Sequence, residues 1–269
     1  MSRFGMLPRV TAPVLDALET YYDTAPRASA TTEEVGPFTL FLRADEDGYP
    51  YYARPRLGLA GDVTPDDVRR ARERQRALGA PETFEWVHQT TPSLLPAACE
   101  AGLEVAECPL LVLGPARAST PDLEPAAAHR VIRVSPDQDD LALVLGAVSA
   151  GFRGTDEVAP ATASALARRR RLMHAGLIAM VAAYDEGGVL VGGGAHGPRG
   201  ATTELAGIAV LPRARRRGVG EAVTRSLVSD ARDRGVGTVF LSAQDDAVAR
   251  IYERVGFERV GTACMGEVR

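Results

Sequence analysis

Residues 208–220 read Ile-Ala-Val-Leu-Pro-Arg-Ala-Arg-Arg-Arg-Gly-Val-Gly, an apolar run followed by an arginine-rich segment and two glycines. A helical pattern follows, so four arginines gather at the amino-terminal end of a predicted helix. The helix dipole is positive there, and cations are unfavourable unless an anion occupies the site. Gly218 and Gly220 allow several backbone N–H groups to converge on one oxygen-rich group. The segment therefore predicts a phosphate-binding loop, with a solvated basic loop as the alternative.

Two familiar nucleotide-binding patterns do not fit this loop. It contains no lysine, which a Walker-type loop requires, and it lacks the third glycine of the dinucleotide fingerprint. The surrounding elements must therefore decide what the loop binds.

The chain around the loop alternates between strand and helix patterns from Arg130 to the carboxyl terminus. Ser135 is predicted to cap the first of these helices, with Pro136 at its first position, and Gly235 to end the third. Three successive strands separated by glycine-containing turns predict an antiparallel meander. The predicted strands are 130–134, 177–184, 189–195, 203–210, 238–242 and one from 257, and the predicted helices are 136–152, 161–174, 219–234 and 246–255.

The closing part of this pattern occurs twice in the chain. Phe84-Glu-Trp-Val-His-Gln, a helical stretch and Ala101-Gly-Leu-Glu-Val match Val239-Phe-Leu-Ser-Ala-Gln, a helix and Val255-Gly-Phe-Glu-Arg. Aligning Gly102 with Gly256 gives an offset of 154 residues (256 less 102), which also pairs Trp86 with Phe240 and Leu103 with Phe257. This periodicity predicts a tandem duplication.

Residues 208–220, followed by Ala249-Arg-Ile-Tyr-Glu-Arg-Val-Gly-Phe one helix and strand later, resemble the GCN5-related N-acetyltransferase (GNAT) superfamily. The order of elements from Arg130 onward resembles that fold as well, so the resemblance covers the second half. The first half resembles it only through its closing segment. The resemblance implies an α/β (α+β) fold in tandem, with a mixed, mostly antiparallel central sheet flanked by helices in each half.

The resemblance also implies a site for acetyl-coenzyme A as co-substrate. Arg215, Gly218 and Gly220 match the family's Arg/Gln-x-x-Gly-x-Gly/Ala motif, whose backbone amides hold the coenzyme's pyrophosphate. In the family, the fourth strand hydrogen-bonds the pantetheine arm of the coenzyme, and Ile208, Ala209 and Val210 match that strand here. Asp245 lies before the last predicted helix, at a position that is usually asparagine in the family. The implied cofactor-binding residues are Ile208, Ala209, Val210, Arg215, Arg216, Arg217, Gly218, Val219, Gly220, Glu221 and Asp245.

Acyl transfer to an amine requires a neutral amine, a stabilised carbonyl oxygen and a proton for the leaving thiolate. Tyr252 matches the tyrosine that supplies this proton in the family, and the alternative is an ordinary core tyrosine on an amphipathic helix. A backbone N–H near Val210 suits the oxyanion. Glu204 is the first candidate for the base, although ordered water would also serve. His196 is a second candidate, and surface exposure is expected for it.

The amino-acid composition excludes several classes of protein and of binding partner. A chain of 269 residues with 45% hydrophobic and 25% charged residues is typical of one or two soluble globular domains. Its apolar runs are shorter than the ~20 residues that span a bilayer, and its start lacks a secretory pattern, so we expect no membrane partner and a cytoplasmic location. The net charge of −4 argues against nucleic acid. The scattered cysteines and histidines predict no metal site.

These observations predict a degenerate GNAT-like domain at 1–118, a linker at 119–128 and a catalytic domain at 129–269. The first half lacks an arginine-glycine loop and has Ala98 opposite Tyr252. The predicted function is acetylation of the primary amine of a small molecule, whose identity the sequence leaves open along with the oligomeric state. Two alternatives remain: a specialised acyltransferase with another donor, similar to the tandem mycothiol synthases, and a non-catalytic coenzyme-binding regulator.

Overall fold

The computed structural model describes residues 12–44, 51–114 and 129–268, so the predicted linker at 119–128 lies outside the described residues. The helices are α1 Ala12–Arg27, α2 Pro65–Ala77, α3 Leu94–Glu100, α4 Leu141–Arg153, α5 Ala163–His174, α6 Val219–Asp233 and α7 Asp246–Val255, with a 3-10 turn at Pro212–Ala214. The strands are β1 Ala30–Val35, β2 Phe38–Arg43, β3 Ala53–Pro55, β4 Thr83–Val87, β5 Glu104–Leu113, β6 Arg130–Arg133, β7 Ala179–Tyr184, β8 Leu190–Arg199, β9 Thr202–Val210, β10 Thr238–Ser242 and β11 Phe257–Glu267.

The chain divides into two compact units that do not follow its order. One unit consists of Met1–Leu111, Ser242–Asp246 and Arg259–Arg269, and the other of Val112–Leu241 and Ala247–Glu258. The carboxyl-terminal segment therefore belongs to the same unit as the amino-terminal one.

The second unit contains the predicted meander. Strands β6 to β9 pair antiparallel in chain order, and β10 pairs parallel with β9. A buried apolar cluster lies among α4, α5 and β7, where Leu141, Val144 and Met173 pack with Met180. The mixed, mostly antiparallel sheet flanked by helices confirms the predicted fold class for this half.

A β-bulge interrupts β9 near its middle. Ala195 is opposite Ala206, whereas Gly193 is opposite Ala209, so β9 carries one extra residue here, and Gly207 adopts a φ of +64°. Gly194 has no side chain on the partner strand, which leaves room for Ile208 and for α6; a Cβ on Gly194 would lie 3.0 Å from Ile208. The bulge bends β9 and increases its twist, as bulges do beside functional sites.

The first unit has the sheet order β1-β2-β3-β4-β11-β5. β11 pairs antiparallel with β4, with Ala263 opposite Val87, so the last strand of the chain lies inside this sheet. Phe38, Phe84 and Trp86 form the centre of its core. The strand–helix–glycine–strand order found in both halves fits the predicted duplication, because Gly102 and Gly256 precede β5 and β11 with φ of +84° and +108°.

Two local predictions in the second half were wrong. Helix α4 begins at Leu141 with Asp140 as its N-cap residue, not at Pro136. Ser135 instead closes a turn, because its hydroxyl accepts the N–H of Asp137 while its own N–H donates to Gln138. Local side-chain hydrogen bonds of this kind compete with helix formation.

Strand β8 also runs past its predicted end at Ala195 to Arg199, through Pro198. Pairing of β8 with β7 ends at His196, so the proline lies where β8 has β9 as its only paired neighbour. Proline is tolerated at such edge positions because no partner strand needs its missing N–H. The turn follows at Gly200, which has a φ of +56°.

Candidate active site

The second unit contains a split between two parallel strands. β9 and β10 pair at three positions, and the last of these joins Glu204 to Phe240. β9 continues for six more residues, 205–210, while it remains paired with β8 on its other edge. One edge of β9 is therefore open to a ligand beyond Glu204.

The alternation of backbone groups along β9 determines which amides face this open edge. The N–H of Leu211 donates to the carbonyl of Val191 on β8 at 2.9 Å. Because successive residues of a strand direct their N–H groups to opposite edges, the N–H of Val210 faces the open edge and that of Ala209 faces β8. Val210 thus has the backbone N–H that is predicted to bind the acyl oxygen. Ala209 has no N–H at the open edge, and its methyl group is buried.

The arginine-glycine loop lies at the beginning of α6. Gly218 is the N-cap residue with a φ of +82°, and no side chain within 12–44, 51–114 or 129–268 caps this end of the helix. The first N–H groups of a helix have no partner within the helix, so they are available to an anion. A Cβ on Gly218 would meet nothing within 4 Å, and one on Gly220 would meet only Val210, at 3.9 Å. The described part of the chain leaves space over the loop, and the loop fits a pyrophosphate.

Two of the four loop arginines, Arg213 and Arg215, have partners within the protein. Arg215 donates to the carbonyls of Val210 and Gly151, at 3.1 and 2.7 Å. Arg213 contacts Asp156 through its backbone N–H, at 3.1 Å, and through its guanidinium. Arg215 therefore braces the loop against β9 and α4, a role that the motif did not predict.

Arg216 and Arg217 are exposed and form no ion pair with any described residue. Val219 is buried and anchors the first turn of α6. The Glu221 carboxylate contacts Arg225 at 2.8 Å and Arg254 at 3.7 Å. The charge left over at this helix end is consequently positive.

Tyr252 lies on α7, half-buried, with its ring edge against Phe257 at a centroid distance of 6.2 Å. Burial raises the pKa of its hydroxyl above the usual value of 10. The phenol is therefore protonated at neutral pH, which is the state that a proton donor needs.

Glu204 and His196 lie on different faces of the sheet. Glu204 is half-buried at the position where β9 and β10 separate, which suits a base beside the open edge. His196, expected at the surface, is 1% exposed; its Nδ1 contacts the hydroxyl of Thr203 and its Nε2 contacts Asp230, at 3.0 and 2.8 Å. Thr203 and Glu204 are adjacent in the strand, so their side chains point to opposite faces. The expected exposure of His196 was wrong.

His196 belongs to a buried ionic cluster under α6. The carboxylate of Asp230 contacts His196, Arg133 at 2.9 Å and Arg234 at 2.5 Å. Burial would raise the pKa of Asp230, but the hydrogen bonds from His196 and Arg234 outweigh it and lower that pKa to about 2. The cluster holds α6 to β8 and β6, and we interpret it as structural.

Asp245 lies in the exposed connection between β10 and α7, within the segment Ser242–Asp246 that belongs to the first unit. Its predicted contact with the coenzyme stays a prediction.

In the first unit, α2 precedes the repeated segment as α6 does in the second, and the beginning of α2 is closed by its own side chains. Thr64 caps α2 by accepting the N–H of Asp67, and the carboxylate of Asp67 accepts the N–H of Thr64. This capping box satisfies amides that α6 leaves open. The pattern Thr-x-x-Asp was visible in the sequence and explains in physical terms why this half has no phosphate loop.

A buried arginine, Arg54, lies between α1 and the sheet of the first unit. Arg54 is 3% exposed and lies 4.1 Å above the ring of Tyr22, with Glu19 and Glu85 at 3.6 and 3.9 Å. Burial raises the pKa of Glu85 to about 7, against the opposing effects of the Arg54 charge and a hydrogen bond from Tyr52.

Among the described residues, no group of three or more His, Cys, Asp and Glu side chains is arranged to hold a metal ion. The helices of the described ranges are too short or too polar to cross a membrane.

Comparison with known proteins adds to this geometry. A model of the acetyltransferase (GNAT) family matches residues 150–257. The mycothiol acetyltransferase of Rhodococcus opacus is 31% identical over 202 residues, which cover 69% of this chain and 64% of that protein. The chain therefore spans slightly less than two thirds of the length of this curated relative.

Two solved structures share the fold. A GCN5-related N-acetyltransferase from Kribbella flavida matches with a TM-score of 0.71 and 21% identity, covering 94% of this chain and 95% of that one. A tandem GNAT protein from the clavulanic acid biosynthesis pathway matches with a TM-score of 0.56 and 16% identity, covering 85% and 77%. The likeness extends over both halves and confirms the predicted tandem fold.

Proposed function

We propose that the chain is a member of the acetyltransferase (GNAT) family, whose model matches residues 150–257, and that it is an N-acetyltransferase that uses acetyl-coenzyme A. The proposed acceptor is the primary amine of a small molecule, and the proposed active site lies in the second unit. The observation that carries the proposal is the open edge of β9 together with the uncapped, arginine-rich beginning of α6. Residues 211–218 connect the end of β9 to the beginning of α6.

The residues of the loop fit the diphosphate part of the coenzyme. The first amides of α6 point outward without a side-chain cap, and Gly218 and Gly220 leave the space above them open. Arg216 and Arg217 supply positive charge from the solvent side. Helix amides and nearby cations together favour a phosphate group, because each stabilises negative charge at the helix terminus.

The acyl part requires a hydrogen-bond donor, and Val210 supplies one. Its N–H faces the open edge, and the Arg215 guanidinium holds the carbonyl of the same residue at 3.1 Å. When bound, acetyl-coenzyme A supplies a thioester carbonyl carbon that an amine can attack. A preset N–H at the carbonyl oxygen stabilises the charge that develops there, because it needs no reorganisation during the reaction.

Two protein groups manage the protons in this proposal. Tyr252 holds its proton on Oη at neutral pH, as a phenol does below its pKa, and it releases that proton to the leaving sulfur. Glu204 accepts the proton of the attacking amine, directly or through water. The position of Glu204 at the last β9–β10 pair, where the open edge begins, supports this role.

The choice of a small-molecule acceptor is supported by the curated relatives, which are named mycothiol acetyltransferases.

Calorimetric titration of the full chain with acetyl-coenzyme A, followed by thiol release with a panel of small amines, tests the proposal. The expected result is one binding site per chain and thiol release that depends on an amine. Thiol release with propionyl- or succinyl-coenzyme A but not with the acetyl donor would reject the acetyl assignment. Absence of coenzyme binding would reject the whole proposal.

A further inference from the structure

His129 is buried against the arginine-glycine loop. It is 7% exposed, and its Nε2 lies 2.6 Å from the backbone carbonyl of Arg217. A carbonyl oxygen only accepts hydrogen bonds, so Nε2 carries the proton and donates. The other ring nitrogen, Nδ1, is buried with no partner among the described residues. The bond to Arg217 is thus the one polar contact found for this ring.

The bonded carbonyl belongs to the most constrained part of the loop. Arg216 has a φ of +60°, and it is the one residue other than glycine with positive φ in the described chain. Gly218 has a φ of +82°. Arg217 therefore lies between two left-handed residues, a conformation that is costly for a side chain such as that of Arg216. A contact from outside the loop offsets this cost.

The bond also sets the direction of the next amide. In a trans peptide the carbonyl and the following N–H point in opposite directions. Since the Arg217 carbonyl points at His129, the N–H of Gly218 points away from it. Gly218 is the N-cap residue of α6, so its N–H joins the first amides of the helix.

We infer that His129 is a positioning residue for the phosphate-binding loop: it holds the Arg217 carbonyl so that the Gly218 amide is directed at the bound anion. The inference rests on the proposed function, and it assigns the coenzyme site a residue that lies outside the arginine-glycine motif. His129 acts through the loop and does not touch the ligand.

The test compares His129→Ala with His129→Gln, whose amide nitrogen is the same number of bonds from the backbone as Nε2. His174→Ala is the matched control, because His174 is exposed on α5 with a contact to Asp137 at 3.0 Å. Calorimetry with coenzyme A and hydrogen exchange of the peptide covering 215–221 without ligand are measured on the full chain.

We expect His129→Ala to raise the Kd of coenzyme A about five- to tenfold, the effect of losing one hydrogen bond. The KM for the acetyl donor rises by the same factor, while kcat at saturating donor is unchanged. Exchange in residues 215–221 becomes faster. His129→Gln restores the Kd of coenzyme A and the exchange rate of residues 215–221 to near wild type, and His174→Ala changes neither quantity.

An unchanged Kd and exchange rate in a folded His129→Ala protein would overturn the inference. So would a His129→Gln protein that melts like wild type yet binds as weakly as His129→Ala. If wild type does not bind coenzyme A, the proposed function fails separately, and the exchange rates still decide whether His129 holds the loop.

Discussion

Replacing Gly218 with aspartate or with asparagine separates charge from shape in the proposed phosphate loop. Both side chains tolerate the left-handed conformation of Gly218 better than most, so both variants carry similar backbone strain. A Cβ at this position meets no atom within 4 Å, so neither side chain has to displace the protein. The two variants therefore differ in a single negative charge beside the uncapped helix end.

The size of the expected effect follows from Coulomb's law. At about 5 Å from a phosphate, a carboxylate costs about 1 kcal/mol in water and about 3 kcal/mol at an effective dielectric constant of 20. The loop is exposed, but a pyrophosphate brings more than one charge near the same side chain. We expect Gly218→Asp to bind coenzyme A about 30-fold more weakly than Gly218→Asn at 0.1 M salt, which corresponds to about 2 kcal/mol.

Calorimetric titration of coenzyme A into both variants at 0.1 M and 1 M salt measures this difference. The gap should shrink at 1 M, where the Debye length falls from about 10 Å to about 3 Å. A difference below threefold at low salt, or a difference that salt does not change, would refute the placement of the pyrophosphate at α6.

Three further predictions concern proton transfer and pH. Tyr252→Phe keeps the ring contact with Phe257 and should lower kcat by about 100-fold or more with an unchanged Kd for coenzyme A, as single-turnover kinetics and calorimetry would show. Asp230 has a folded pKa of about 2, below its unfolded value, so its ionisation stabilises the fold above about pH 4. This stabilisation is lost as the pH falls toward 2. Urea unfolding should therefore show that Asp230→Asn is less stable than wild type by about 2 kcal/mol at pH 7 and by a smaller amount at pH 3. Glu85 has a raised pKa of about 7, so stability should fall as the pH rises from about 4.5 to 7, and Glu85→Gln should remove up to about 3 kcal/mol of that fall between pH 5 and pH 8.

The sequence predicts most of the second unit because its elements carry local signals. Helix α7 has the predicted bounds Asp246–Val255, and α6 ends one residue before the predicted Arg234, next to Gly235 with its φ of +76°. The start of α4 was wrong because Ser135 and Gln138 form a turn that competes with capping. Periodicity detects packing faces, but it does not register which of two local hydrogen-bond patterns is lower in free energy.

In the candidate site, too, the sequence predicts the residues that belong to a local motif and misses those that depend on distant contacts. The loop glycines follow from a motif, whereas the burial of His196 depends on Asp230, which is 34 residues away in sequence. Likewise, the contacts of Arg215 with Gly151 and of His129 with Arg217 connect residues 64 and 88 positions apart. Such contacts depend on how strands are ordered in the sheet, which one sequence does not reveal.

The pairing of β11 with β4 has a consequence for how the protein is made. Ala263 is opposite Val87, so the sheet of the first unit contains a strand that leaves the ribosome after the other ten described strands. Until then the edge of β4 lacks this neighbour, and unpaired strand edges promote association between nascent chains. We therefore expect a fragment ending near residue 118 to aggregate. A premature stop anywhere before β11 would damage the half that was synthesised first.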